Sequence, residues 1–170
     1  MNTHTRKLCI SAAAGALYAA LTLLLAPISY GAIQCRLSEA VCILPYFFPE
    51  TAWGLFIGCA AANLFSGNIF DVVFGSLATL AAGICTARLG KAKKPFLACT
   101  MPVVFNSLTV GAVITFCYQN VASVGVFAVN VLWIAAGEAL AMYAVGLPLL
   151  YLLKKTGKFI SGKENFYAAR

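Results

Sequence analysis

Charge is scarce in this sequence. Asp, Glu, Lys and Arg together make up 10% of its 170 residues, against 62% hydrophobic. About a quarter of a soluble domain is charged, so a soluble fold is excluded. Five residues are acidic, and His4 is the lone histidine, placed in a polar N-terminal tail where it reads as solvated. General-base chemistry by histidine therefore has no carrier. The G-x-x-x-x-G-K-[ST] phosphate loop is missing, so ATP hydrolysis of that kind is not expected of this chain. H-E-x-x-H, G-x-S-x-G and a Cys/His nucleophile pair are missing as well. The seven cysteines are dispersed, mostly within apolar runs, and no C-x-x-C occurs. They read as small buried hydrophobes, with no metal site and no disulfide framework. Neither an enzyme nor a cofactor is expected.

What is present is apolar length. Mean hydropathy is +0.89. Residues 8–28, 95–117 and 125–153 are apolar runs, and about 18 or more such residues in a row read as a membrane span. The fold class is an all-α polytopic membrane protein, one integral domain over residues 1–170, with the lipid bilayer as its surroundings. Helices are expected at about 8–28, 37–47, 50–66, 70–88, 95–117 and 122–153. Pro27 and Gly31 end the first, Ser66-Gly67-Asn68 ends the third, Pro95 starts the fifth and Pro148 kinks the sixth. The second is too short to cross a ~30 Å hydrocarbon core upright, so it tilts or is buried among neighbours. The first run exceeds the 7–15 residues of a signal-peptide core, so no cleavage is expected.

The net charge of +7 is concentrated in three places: Arg6 and Lys7; Arg88, Lys91, Lys93 and Lys94; Lys154, Lys155, Lys158 and Lys163. Each lies just outside an apolar run, the pattern of cytoplasmic loops rather than of a nucleic-acid surface. Six spans with both termini in the cytoplasm put all three clusters on one side. Five spans do not.

That topology places Gln34, Arg36, Glu39, Asn63 and Asp71 near the outer face, with Asn106, Asn130 and Glu138 deeper. An ionisable group at a helix centre costs about 2.5–3.5 kcal/mol on insertion scales and normally faces a cavity or a partner. These residues outline the mouth and wall of a polar cavity. Glu138 reads as a ligand contact or a structural acid. Arg36 and Glu39, three apart, fit an ion pair or a ligand site. Each asparagine fits a ligand contact or a bond between helices. Asn130, Trp133, Gly137 and Glu138 fall within one broad arc of the sixth helix.

Small residues form a further pattern. Ala12, Ala16 and Ala20 recur every four residues on the first helix, beside Gly15 and Ala19. Such a face permits close backbone approach, either within the chain or to another membrane subunit. Gly54-x-x-x-Gly58 and Gly75-x-x-x-Thr79-x-x-x-Gly83 are read as internal packing faces.

Several segments in order resemble one family: "ALYAALT", "PISYGAIQCRLSEA", "LPYFFPE", "GLFIGCAAANLFSG", "DVVFGSLATLAA" and "AAGEAL". The chain resembles the queuosine-precursor transporter family (QueT), a class of substrate-binding S components of energy-coupling factor (ECF) transporters. The likeness covers most of residues 12–88 and continues, weaker, to about 150. It implies a six-helix S component in the plasma membrane that binds its nutrient from outside. It implies a transmembrane coupling subunit (T component) and two ABC ATPases as partners, with Ala12, Ala16 and Ala20 as the docking face. The implied ligand is a 7-deazaguanine such as preQ1, preQ0 or queuine. Glu138, Asp71 or Glu39 then accept from its donor edge, and Asn63, Asn106, Asn130 or Gln34 donate to its carbonyl. Trp133 or Tyr30 is the wall against its ring. Another vitamin-like ligand, a stand-alone ion-coupled carrier and a purely structural subunit are the competing readings.

Overall fold

The computed structural model describes residues 3–26, 36–65, 67 and 69–161. Among them every regular element is helical. Helix α1 is Thr3–Leu24, α2 is Leu37–Tyr46 and α3 is Thr51–Leu64. Helix α4 is Asp71–Lys91 and α5 is Pro95–Tyr118. Helix α6 starts at Val124 and continues through Ser161. The all-α expectation holds, with a short second helix among six. Helices α1, α4, α5 and α6 are long and apolar enough to cross a membrane, whereas α2 and α3 are short apolar helices. The chain is a membrane protein.

Helix ends follow local chemistry. Gly67 takes φ +74° just past α3, a left-handed turn that glycine adopts without a Cβ penalty. This stops α3 at Leu64, short of the expected residue 66. Pro95 occupies the first turn of α5, where its missing N–H is no loss. Pro148 cannot donate to the Ala144 carbonyl, and that carbonyl lies in a π-helical stretch over Leu140–Gly146. Two more π stretches occur, Asp71–Gly75 opening α4 and Val113–Tyr118 closing α5. Pro27 and Gly31 lie outside the described residues.

Helix α2 winds as a 3-10 helix for ten residues, eight of them buried. It is buried among neighbours, as one of the two expectations for it required. A 3-10 helix stacks residues i and i+3 in rows, giving α2 three edges. Ala40, Ile43 and Tyr46 form one row, and Ile43 and Tyr46 share a core with Ala98, Cys99, Met142 and Leu150 of α5 and α6. Ser38, Val41 and Leu44 form the second, toward Ala14 and Tyr18 of α1. Arg36, Glu39, Cys42 and Pro45 form the third.

Glycine sets how closely α1 and α3 approach. A Cβ on Gly15 would collide with the Gly54 carbonyl, one on Gly54 with the Ser11 carbonyl, and one on Gly58 with the Gly15 carbonyl. The Gly54/Gly58 face is therefore internal, as expected, and Gly15 belongs to it. Gly75 and Gly83 face Asn63 and Ala52 of α3. Ala12, Ala16 and Ala20 remain exposed on the other side of α1. Leu17, Trp53, Ile57, Phe74, Leu108 and Leu132 are among many large apolar side chains on the outer surface. That surface suits lipid as solvent, where helices satisfy their own backbone.

One end of the bundle gathers the described residues of the basic clusters. The Ser11 hydroxyl donates to the Glu50 carbonyl at 2.8 Å, and the Thr86 hydroxyl donates to the Ala98 carbonyl at 3.2 Å. Gly90 abuts the Tyr46 backbone, and Leu150 packs with Phe47 and Ala98. The start of α1, the end of α4, the start of α5 and the last part of α6 thus meet at this end.

Candidate functional site

The third edge of α2 builds the site. Cys42, one 3-10 turn beyond Glu39, donates its thiol to Glu39 Oε2 at 3.1 Å. The Tyr18 hydroxyl of α1 donates to Glu39 Oε1. Both carboxylate oxygens of Glu39 are thus occupied from within the protein. A second tie joins the same helices, the Thr22 hydroxyl donating to Ser38 Oγ at 2.7 Å.

Cys59 of α3 is the junction to the rest. Its sulfur lies 3.5 Å from the Tyr18 hydroxyl, 3.5 Å from Asn63 Nδ2 and 3.4 Å from the Thr79 hydroxyl. Asn63 Nδ2 also donates to the Asp71 carbonyl at 2.9 Å. The Asp71 side chain accepts from the Tyr118 hydroxyl at 3.0 Å. Asp71 begins one π stretch and Tyr118 ends another, and such stretches concentrate at functional sites because they redirect side chains.

Helices α5 and α6 contribute Asn106 and Glu138, 3% and 2% exposed. The Asn106 amide sits beside the Glu138 carboxylate. Yet Asn106 Nδ2, Asn106 Oδ1 and Glu138 Oε2 meet no hydrogen-bond partner among the described residues. Buried Arg36 lies within electrostatic reach of Tyr18, Cys59, Glu39 and Glu138, and of Tyr118. It brings a positive charge within reach of both glutamates.

Arg36, Glu39, Asn63, Asp71, Asn106 and Glu138 are therefore drawn from five helices into one buried polar region. Gln34 and Tyr30 lie outside the described residues. Asn130 is half-buried and its amide is spent on α5, donating to Thr115 Oγ1 at 2.9 Å and Gln119 Oε1 at 3.0 Å. It binds helices together. Trp133 is 58% exposed and is no wall for this region. Five residues of α-helix rotate it about 140° from Glu138, so burying one turns the other outward. The broad arc expected on α6 was too broad.

Sequence reasoning missed Tyr18, Tyr118 and the polar use of Cys42 and Cys59. Tyr18 had a signal: a hydroxyl mid-way along an Ala/Leu-rich span needs a buried partner. The cysteines had none, since burial alone does not separate a thiol donor from a small hydrophobe. Among the described residues no group of His, Cys, Asp and Glu is arranged to hold a metal ion.

A membrane-spanning helix bundle with buried charged and amide groups has the chemistry to meet a small polar solute. Comparison with known proteins gives the class a family. The model of the QueT transporter family matches residues 8–155, and the chain belongs to that family. A protein of Lactococcus lactis subsp. cremoris (strain MG1363), named Queuosine precursor transporter QueT, is 40% identical over 67 residues. The match covers 38% of this chain and 40% of that protein, so it spans less than half of the relative's length. No solved structure matches.

Proposed function

We propose that this protein is the substrate-binding S component of an ECF-type importer and captures a queuosine precursor, a 7-deazaguanine, from outside the cell. The observation that carries the reading is the buried cluster of Arg36, Glu39, Asn63, Asp71, Asn106 and Glu138 in a member of this family. A 7-deazaguanine offers hydrogen-bond donors and an acceptor on a flat ring, and the cluster offers carboxylates and amides to match. Two glutamates beside one arginine also suit the aminomethyl cation of preQ1.

Orientation supports capture from outside. The described residues of the basic clusters converge at one end, and the positive-inside rule supports a cytoplasmic side for that end and for both termini of a plasma-membrane protein. The Asp71–Tyr118 and Thr22–Ser38 contacts belong to the other end of the bundle. Partner docking is supported by α1, where Ala12, Ala16 and Ala20 stay exposed while Ser11, Gly15 and Tyr18 pack inward. A T component meets that flat face, and two ABC ATPases supply the energy.

The test is uptake of labelled preQ1 by cells expressing the chain with and without a T component and ATPases. Uptake that needs all the subunits supports the reading. Uptake by the chain alone replaces it with an ion-coupled carrier. Calorimetric titration of the purified chain with preQ1, preQ0, queuine and guanine then ranks ligands, and failure of all four refutes the deazaguanine assignment.

A further inference from the structure

The polar groups of the cluster are not equally available. Glu39 already accepts from Tyr18 and Cys42, and Asp71 Oδ2 accepts from Tyr118. Asn63 Nδ2 donates to the Asp71 carbonyl. Glu138 Oε2 and both amide atoms of Asn106 are different. They are buried, within reach of each other across α5 and α6, and no hydrogen bond of good geometry satisfies them among the described residues. A buried polar group left unmatched is costly, and such atoms point to a missing ligand.

We infer that Glu138 and Asn106 together read the 2-amino-6-oxo edge of the ligand and set its specificity, an assignment that rests on the deazaguanine reading above. A carboxylate accepts two donors side by side, which fits the ring N1–H and the 2-amino group. The neighbouring amide NH2 donates to the 6-oxo oxygen. The order donor, donor, acceptor along the ligand edge matches carboxylate followed by amide along the protein. A 2-desamino ring gives up one of the two donors. A 6-amino ring places an acceptor nitrogen against the carboxylate and a donor where the oxo group belongs. Glu39, by contrast, is a positioning residue held by α1 and by its own helix.

The experiment compares preQ1 with its 2-desamino analogue, titrated into the full chain in detergent. Wild type is expected to prefer preQ1 by about 10- to 100-fold, the scale of one hydrogen bond to a charged group. Glu138→Gln is expected to lose that preference, the two ligands falling within about 3-fold of each other. Asn106→Ser is expected to weaken both ligands alike and keep the preference, since the carboxylate remains. Wild type binding both ligands equally overturns the assignment without any variant, while the deazaguanine reading stands. A folded Glu138→Gln chain that keeps both affinity and preference overturns it too. Binding of neither ligand by folded wild type removes the deazaguanine reading, and this assignment with it.

Discussion

Tyr18→Phe removes one oxygen atom from the centre of the network. Tyr18 is 0% exposed and its hydroxyl meets Glu39 Oε1 and the Cys59 sulfur. Phenylalanine keeps the ring in place, so little packing is lost and the effect isolates the hydroxyl. Glu39 then retains the Cys42 thiol, a weak donor. Loss of a hydrogen bond to a charged group costs about 1.5–3 kcal/mol. For a chain of this size that lowers the melting temperature by about 3–12 °C. The assay is thermal unfolding in detergent, with Tyr151→Phe, a 46% exposed tyrosine, as the control that stays at the wild-type value. A double-mutant cycle with Glu39→Gln is expected to show a coupling of about 1 kcal/mol or more. A Tyr18→Phe chain that melts with wild type, and strict additivity in the cycle, refute the reasoning. Tyr18 is then only packing, and Glu39 is held by other groups.

Four further outcomes are expected. Gly54→Val prevents close packing of α1 on α3, because the new Cβ meets the Ser11 carbonyl, and yields little folded protein by size-exclusion chromatography; Gly125→Ala, with only Ser123 Oγ at 3.8 Å, folds normally. Asn130→Leu loses its bonds to Thr115 and Gln119 and about 1–2 kcal/mol of stability, with ligand affinity within about 3-fold of wild type, read by melting and titration side by side. On the proposed docking of α1, Ala16→Leu keeps ligand affinity in detergent but co-purifies less T component, since the leucine roughens an exposed face of small residues; full recovery of the complex argues that docking lies elsewhere. In a background with Cys9, Cys35 and Cys117 replaced by serine, Gln119→Cys reacts with an impermeant maleimide on intact cells and Lys93→Cys reacts only after permeabilisation; the reverse pattern inverts the topology.

Much of this architecture was legible because lipid simplifies the sequence. Apolar runs, Pro95 and the turn at Gly67 marked the helices, and the basic clusters marked one end. The ionisable and amide residues of the site were legible for the same reason, as Arg36, Glu39, Asp71 and Glu138 stand out against so apolar a background. What stayed hidden was rotation. Asn63 and Asn130 look alike in sequence, but one turns into the polar region and the other to the end of α5. Trp133 looked like a wall because an arc on a helical wheel does not say where its centre points. The 3-10 winding of α2 was hidden as well, since it is set by three neighbours at once. An α-helical Leu37–Tyr46 offsets residues three apart by about 60° and so mixes the three rows.

The energetics favour the proposed reading, in which the cluster serves a ligand rather than the fold. Arg36, Glu39, Asp71 and Glu138 are all buried. Burying a charge costs several kcal/mol before any pairing, a sizeable part of the about 5–15 kcal/mol by which whole domains are stable. Their mutual pairing offsets part of the cost, but well-packed apolar side chains in place of a buried ion pair are often neutral or stabilising. A bundle needing only stability has no reason to keep them. The glycine-mediated contact of α1 with α3 and the apolar rows of α2 hold the helices together without help from charge. Glu138 and Asn106 sharpen the point: on the assignment proposed above, their unmatched atoms are satisfied when a molecule with the complementary edge arrives. Binding then recovers the cost of keeping those atoms dry, and the recovery is largest for the ligand that satisfies all of them.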